Sequence, residues 1–178
     1  MKYRFAAVED VPLLARMNRQ LTEDEGHRNR FHTDTWFEDR MRDFINGNYR
    51  AILFEREERI VAYALFTDQT ENIDTVYLRQ IFVERSCRRQ GIGRDAIRIL
   101  QEEIWPAEKR ITVGALQGNR AAIEFYRAVG FRPYSIEMEL PPAHTAPPAH
   151  TAKPGRAVLS TECEGEPGPM RTGDLEKD

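Results

Sequence analysis

"LRQIFVERSCRRQGIGRDAIRIL", residues 78–100, decides the fold. It opens inside an apolar, β-rich stretch, which predicts a strand over 74–84. It closes on apolar side chains at Ile92, Ala96, Ile99 and Leu100, a helical spacing that runs on to Ile104 and stops at Pro106. Between strand and helix, Arg85, Arg88, Arg89 and Arg94 crowd Gly91 and Gly93, with no acid from Ser86 to Arg94. The first amides of a helix lack intrahelical partners and point outward. The helix dipole places positive partial charge at the same end, so a strand–loop–helix junction of this kind binds anions. Glycine lets a ligand approach the backbone, and arginine offers planar, bidentate contacts to phosphate. Four arginines point to a ligand with more than one phosphate.

Three phosphate-loop patterns compete for these residues. The G-x-x-x-x-G-K-[ST] loop of nucleotide triphosphatases finds no match. The dinucleotide fingerprint G-x-G-x-x-G/A is met literally by Gly91–Ala96, but the following strand-like segment "RITVGAL" (110–116) ends without the acid that would hold a ribose. The third pattern, R/Q-x-x-G-x-G/A, is met by Arg88-Arg89-Gln90-Gly91-Ile92-Gly93.

Working outward, the chain reads as alternating elements as far as Leu140. "YRFAAV" (3–8) alternates like a strand; Asp10 is placed to cap a helix with Pro12 in its first turn and Val11, Leu14, Asn18 and Leu21 on one face. A polar loop, "TEDEGHRNRFHT" (22–33), leads to a second helix capped by Asp34, with a Phe37, Met41, Phe44, Ile45 stripe. "YRAILFE" (49–55) and "RIVAYALFTDQ" (59–69) read as a hairpin. After "RITVGAL", Asn119 is placed to cap a helix carrying Ala122, Phe125, Tyr126 and Val129, stopped by Gly130. "FRPYSIEMEL" (131–140) alternates as a last strand. The expected order is β-α-α-β-β-β-α-β-α-β, a mixed sheet with helices against its faces.

Past Leu140 the composition changes. PPAHTA occurs twice in tandem, followed by an acidic end containing Gly and Pro. With few large apolar residues to offset the entropy of ordering, 141–178 is expected to be a disordered tail. His144 and His150 recur with the repeat and are read as its passengers rather than as metal ligands. Two cysteines, Cys87 and Cys163, are too few for a disulfide framework or a zinc site. No run of roughly 20 apolar residues spans a bilayer, and "MKYRFAAVED" lacks the apolar core of a signal peptide. A cytoplasmic, non-membrane protein is expected. The net charge of −3 and the absence of aromatic residues within the arginine loop argue against nucleic acid.

The loop and helix of residues 78–100 resemble the fourth strand, pyrophosphate loop and third helix of the GCN5-related N-acetyltransferase (GNAT) family, in order and spacing. "NRAAIEFYRAVGF" (119–131) resembles that family's second signature, N-x-x-A-x-x-F-Y-x-x-x-G-F, at every fixed position. The resemblance covers about 1–140 and excludes the tail. It implies an α+β fold with a mostly antiparallel sheet, helices on both faces, and a splay between the fourth and fifth strands where acetyl-CoA lies.

Carried over residue by residue, it implies that the backbone of Ile81, Phe82 and Val83 pairs with the pantetheine arm, as an edge strand pairs with a peptide. The loop Arg88, Arg89, Gln90, Gly91, Ile92, Gly93 and Arg94 would hold the pyrophosphate. Asn119 would touch the cosubstrate as well as cap its helix. Tyr126 would protonate the departing thiolate, and the Val83 N–H would polarise the thioester carbonyl. Phe125 and Phe131 are read as core. The family has no universal base; here the loop after the first helix carries Glu23, Asp24, Glu25, His27 and Arg28, and Glu25 or His27 is placed to take the proton of an amine acceptor. Tyr77 and Gln80 sit on the strand facing the acceptor, with side-chain directions that a bulge would alter. Cys87 has no base partner in sequence and is not read as a nucleophile. The expectation is acetyl transfer to a small-molecule or peptide amine without a metal, with a homodimer left open; a non-catalytic coenzyme A-binding module is the alternative.

Overall fold

In a computed structural model, residues 1–27, 31–68 and 74–140 are described. The expected tail, 141–178, lies outside them, as does Arg28. The elements run β1 (Lys2–Phe5), a short 3-10 turn (Val8–Asp10), α1 (Val11–Asp24), α2 (Asp34–Asn46), β2 (Arg50–Arg56), β3 (Arg59–Thr67) and β4 (Thr75–Val83). There follow a second 3-10 turn (Arg85–Cys87), α3 (Ile92–Ile99) widening into a π-helical turn (Leu100–Ile104), β5 (Arg110–Val113) and α4 (Arg120–Ala128). All belong to one compact unit, Met1–Tyr134; residues 135–140 belong to a second unit and carry no helix or strand.

The sheet order is β1-β2-β3-β4-β5, antiparallel except for the parallel β4–β5 pair. β2 and β3 are apolar on both faces because both faces are covered. Ile52, Phe54, Ala62, Ala64 and Phe66 pack with Ile97, Leu100 and Trp105 beneath α3. Ala51, Leu53, Tyr63 and Leu65 pack with Leu14, Met17, Phe37 and Met41 beneath α1 and α2. The stripes expected on α1, α2 and α3 are the faces that supply these two layers.

Two features of the sheet position the site. β5 pairs with only the first part of β4, from Thr75 opposite Arg110 to Leu78 opposite Val113, so Arg79–Val83 run on past the end of β5. The β3–β4 register also slips: Leu65 faces Gln80, but Phe66 faces Leu78. Arg79 is therefore the extra residue of a bulge, which turns the following side chains to the other face.

Three expectations are corrected. Asp10 does not cap α1 with its side chain; its carboxylate accepts from the Arg4 guanidinium and from the Ala7 amide instead. Thr33, not Asp34, caps α2, its hydroxyl accepting from the Trp36 amide at 3.3 Å, while Asp34 pairs with Arg19. Residues 131–140 form no strand. Alternation marks the face a strand would bury, but a strand exists only where a neighbouring backbone completes its ladder. Here Pro133 lacks a donor, and Tyr134, Ile136, Met138 and Leu140 stand exposed.

Candidate active site

The loop between β4 and α3 is built around backbone that favours glycine. Gly91 has φ +81° and caps α3 in the left-handed region; Arg89 is also left-handed at +65°. A Cβ added at Gly91 would meet nothing within 4 Å, so this glycine answers to backbone geometry and open space. Gly93 is different. Its Cβ would stand 3.1 and 3.2 Å from the Phe125 ring, so it is held small by the packing of α4 on α3.

The four loop arginines divide into two pairs. Arg85 donates to Asp24 and Glu23 at the end of α1. Arg88 donates through Nε to the Val83 carbonyl at 2.9 Å and through its other arm to Asp24. These two guanidiniums thus tie the end of α1 to the end of β4. Burial opposes the charge on Asp24, but the bonds from Arg85 and Arg88 outweigh it and hold its pKa below the ordinary carboxylate value. Gln90 is also engaged, donating to the Ser86 carbonyl and accepting from Arg56. Arg89 and Arg94 are exposed at the mouth of the loop, with no ion pair among the described residues.

Tyr126 and Glu25, far apart in sequence, lie within electrostatic reach of each other. Tyr126 lies on the inner side of α4 beside Phe125 and Phe131, whose rings stand 5.4 and 5.5 Å away. Burial pushes its phenol well above the ordinary 10.0, and the Glu25 carboxyl and the Tyr77 phenol raise it further. Glu25 ends α1, partly buried; burial and then its neighbour Asp24 raise its pKa above 4.5. Tyr77 reaches to the splay, its hydroxyl 3.7 Å from where a Cβ on Gly114 would sit. His27 closes the same turn, its amide bonded to the Thr22 carbonyl at 2.9 Å. Asn119 caps α4 as expected, accepting from the Ala122 amide at 3.1 Å.

The bulge decides the directions that sequence left open. Gln80 turns into the α1/α2 layer, where its carbonyl oxygen accepts from the buried Tyr63 hydroxyl at 3.0 Å. Arg79 was not singled out in sequence, yet it stands over the rings of Phe44 and Tyr49, at 5.1 and 5.8 Å. Arg40, from α2, stands over the same Phe44 ring at 5.0 Å and over Trp36 at 5.1 Å. A charged side chain inside a β-rich strand was the available signal.

Among the described residues, no group of three or more His, Cys, Asp or Glu side chains is placed to hold a metal ion. No helix there is long and apolar enough to cross a membrane.

The chain matches the model of the acetyltransferase (GNAT) family over residues 15–131. No curated protein matches. Among solved structures, a mutant of the BH1408 protein from Bacillus halodurans is 25% identical, with a TM-score of 0.67 over 79% of this chain and 99% of that one. The aminoglycoside N-acetyltransferase AAC(6')-Iy in complex with CoA is 14% identical, with a TM-score of 0.63 over 80% and 94%. The aminoglycoside 6'-N-acetyltransferase AAC(6')-IG from Acinetobacter haemolyticus is 16% identical, with a TM-score of 0.61 over 80% and 98%. At such identities the last two speak to the fold alone. The family match spans well over half of the chain: this protein belongs to the GNAT family of acetyltransferases.

Proposed function

We propose that this GNAT-family chain moves the acetyl group of acetyl-CoA to a primary amine, by direct attack while both substrates are bound. The observation that carries the reading is the end of β4 that β5 leaves unpaired, running straight into the glycine loop that opens α3; Tyr126 and Glu25, within electrostatic reach of each other, support it. Ile81, Phe82 and Val83 offer backbone groups there for the amide-rich pantetheine arm. The Val83 carbonyl is already taken by Arg88, which leaves its amide for the thioester oxygen. Gly91 to Arg94 offer the amides that open α3 to the pyrophosphate, and Arg89 and Arg94 add charge. The loop suits a diphosphate: Gly91 leaves room, and among the described residues Arg89 and Arg94 have no ion pair.

The chemistry needs an amine without its proton. At pH 7 removing it from an alkyl ammonium costs roughly 4–5 kcal/mol, so a base must stand near. Glu25 suits this, since burial makes its carboxylate more basic than an exposed one; His27 on the same turn is the second candidate. The amine nitrogen attacks the carbonyl carbon, the C–S bond breaks, and the amine proton passes to the base. The sulfur leaves as a thiolate and takes a proton from the Tyr126 hydroxyl. Surroundings that keep the phenol protonated also make a neighbouring thiolate more basic, so the phenol's hydrogen bond stabilises the departing charge.

The test is calorimetric titration of the full chain with acetyl-CoA beside NADH, followed by thiol release with a panel of primary amines. Micromolar binding of acetyl-CoA alone, with thiol release, is expected. Binding without release for any amine would make the chain a coenzyme A-binding module. Failure to bind acetyl-CoA, in folded protein, would end the reading.

A further inference from the structure

Arg40 and Arg79 are charged side chains held against the aromatic residues of the α1/α2 layer. They come from different elements, α2 and the bulge of β4, and share the ring of Phe44. Each Nε is shut off from solvent and has no hydrogen-bond acceptor. Burial lowers the pKa of Arg40, and the like charge of Arg79 lowers it further. Among the described residues neither guanidinium has a carboxylate within salt-bridge distance, although α2 itself carries Glu38, Asp39 and Asp43. Two guanidiniums held close, partly desolvated and unneutralised, are unfavourable unless an anion joins them. Aromatic faces hold the pair in place but cannot accept the buried N–H groups in-plane.

Their location gives the arrangement a use. The Tyr63 hydroxyl donates to Gln80, the neighbour of Arg79 on β4, and accepts from Asn18 on α1, two helical turns before Glu25; it also lies within electrostatic reach of the Arg40 guanidinium and the Glu25 carboxyl. Glu25 in turn reaches Tyr126. The arginine pair and the amine-activating end of the site thus lie on the same face of the sheet, with Tyr63 in reach of both. The acids at the end of α1 draw an ammonium group. The other acids of that turn, Glu23 and Asp24, are bound to Arg19, Arg85 and Arg88, which leaves Glu25 for it.

We infer that Arg40 and Arg79 select the acceptor: the amine acetylated by this protein carries an anionic group, a carboxylate or a phosphate monoester, at its other end. A planar carboxylate or a phosphate would accept bidentate bonds from one guanidinium and lie against the other. The inference rests on the N-acetyltransferase reading and narrows it to acidic or zwitterionic amines, a different class from the aminoglycosides in the names of two structural neighbours.

The experiment uses matched pairs of amines with acetyl-CoA and the full chain: 4-aminobutyrate against butylamine, 6-aminohexanoate against hexylamine, O-phosphoethanolamine against ethanolamine. Thiol release gives kcat/KM for each, and calorimetry on the CoA-saturated protein gives binding. The anionic member of at least one pair is expected to be favoured tenfold or more. The carboxylate and phosphate arms say which anion the pair of arginines takes. Arg79→Met and Arg40→Met should each lower that ratio at least tenfold through KM, with Arg79→Lys restoring part of it. Acetyl-CoA affinity, within twofold of the parent, certifies that each variant is folded. The proposal is overturned if neutral amines do as well, if the ratio survives both substitutions, or if no anionic member binds or reacts. Loss of acetyl-CoA binding in the parent protein is a different result, and sinks the acetyltransfer reading itself.

Discussion

Burial makes ionisation of both Tyr126 and Glu25 harder, with the Glu25 carboxyl adding to the effect on Tyr126 and Asp24 to that on Glu25, and this fixes what each does near neutral pH. The phenol keeps its proton far into the alkaline range, so it is a donor throughout. Tyr126→Phe removes the donor and keeps the ring against Phe125 and Phe131. It should lower kcat by about 10²-fold, the lower end of what a general acid supplies, with acetyl-CoA affinity almost unchanged. Steady-state rates beside a calorimetric titration check this; equal rates would return Tyr126 to a purely packing role. Glu25 must lose its proton to act as base. Since its pKa is raised by burial and by Asp24, the acid limb of kcat/KM should fall above 4.5, and Glu25→Gln should abolish that limb along with most of the rate. If the limb survives in the Gln variant, the base lies elsewhere, with His27 next in line.

At the scale of elements, the loop before α3 contains two glycines that sequence treats alike and structure does not. Gly91→Ala forces a side chain into left-handed backbone, costing roughly 1–2 kcal/mol, and puts a methyl group where the cosubstrate backbone contacts form. Gly93→Ala pushes on the Phe125 ring, an overpacking cost of about 1–3 kcal/mol, and shifts α4 with Tyr126 on it. The Gly91 variant should therefore lose acetyl-CoA affinity, and the Gly93 variant should lose turnover as well. Parallel melts and titrations separate them. Asp24 joins elements: it receives both Arg85 and Arg88, and Arg88 also holds the Val83 carbonyl. With these side chains a quarter to a half exposed, Asp24→Ala should cost only about 1 kcal/mol of stability. Its larger effect should be a raised KM for acetyl-CoA, because the loop loses its anchor on α1.

The strand–loop–helix at 78–100 and the α4 signature were legible because local pattern specifies them. The helix stripes were legible for the same reason. What escaped depends on partners distant in sequence. Thr33 and Asp34 are equally good caps locally, and the choice was made by Arg19, fifteen positions away, which takes Asp34. The bulge at Arg79 exists only in the pairing of β3 with β4, so the directions of Arg79 and Gln80 could not be read from alternation. The segment 131–140 has the alternation of a strand and no ladder.

For the molecule as a whole, one buried phenol and one half-buried one, Tyr63 and Tyr126, set the alkaline limit of stability. Tyr63 is fully buried, donates to Gln80 and accepts from Asn18 at 3.4 Å. Burial raises its pKa far above 10.0; the Asn18 bond lowers it and the Glu25 carboxyl adds to the rise, leaving the net shift upward. Tyr126 is shifted the same way. Both groups stay protonated in the folded protein at pH values where the unfolded chain has lost those protons. Their contribution is therefore complete below pH 10 and is lost as pH rises from there toward the folded-state values. Each such tyrosine removes up to about 1.4 kcal/mol per pH unit within that window. Unfolding free energies from urea titrations at pH 7 to 11 should be flat at first and then fall with a slope near twice that figure. Tyr63→Phe should halve the slope. At pH 7 the same substitution should cost roughly 1–3 kcal/mol, since Gln80 is left buried without its donor. A variant that keeps the full alkaline slope would mean that water reaches the layer beneath α1, and that the polar contacts joining α1 to the sheet are not sealed.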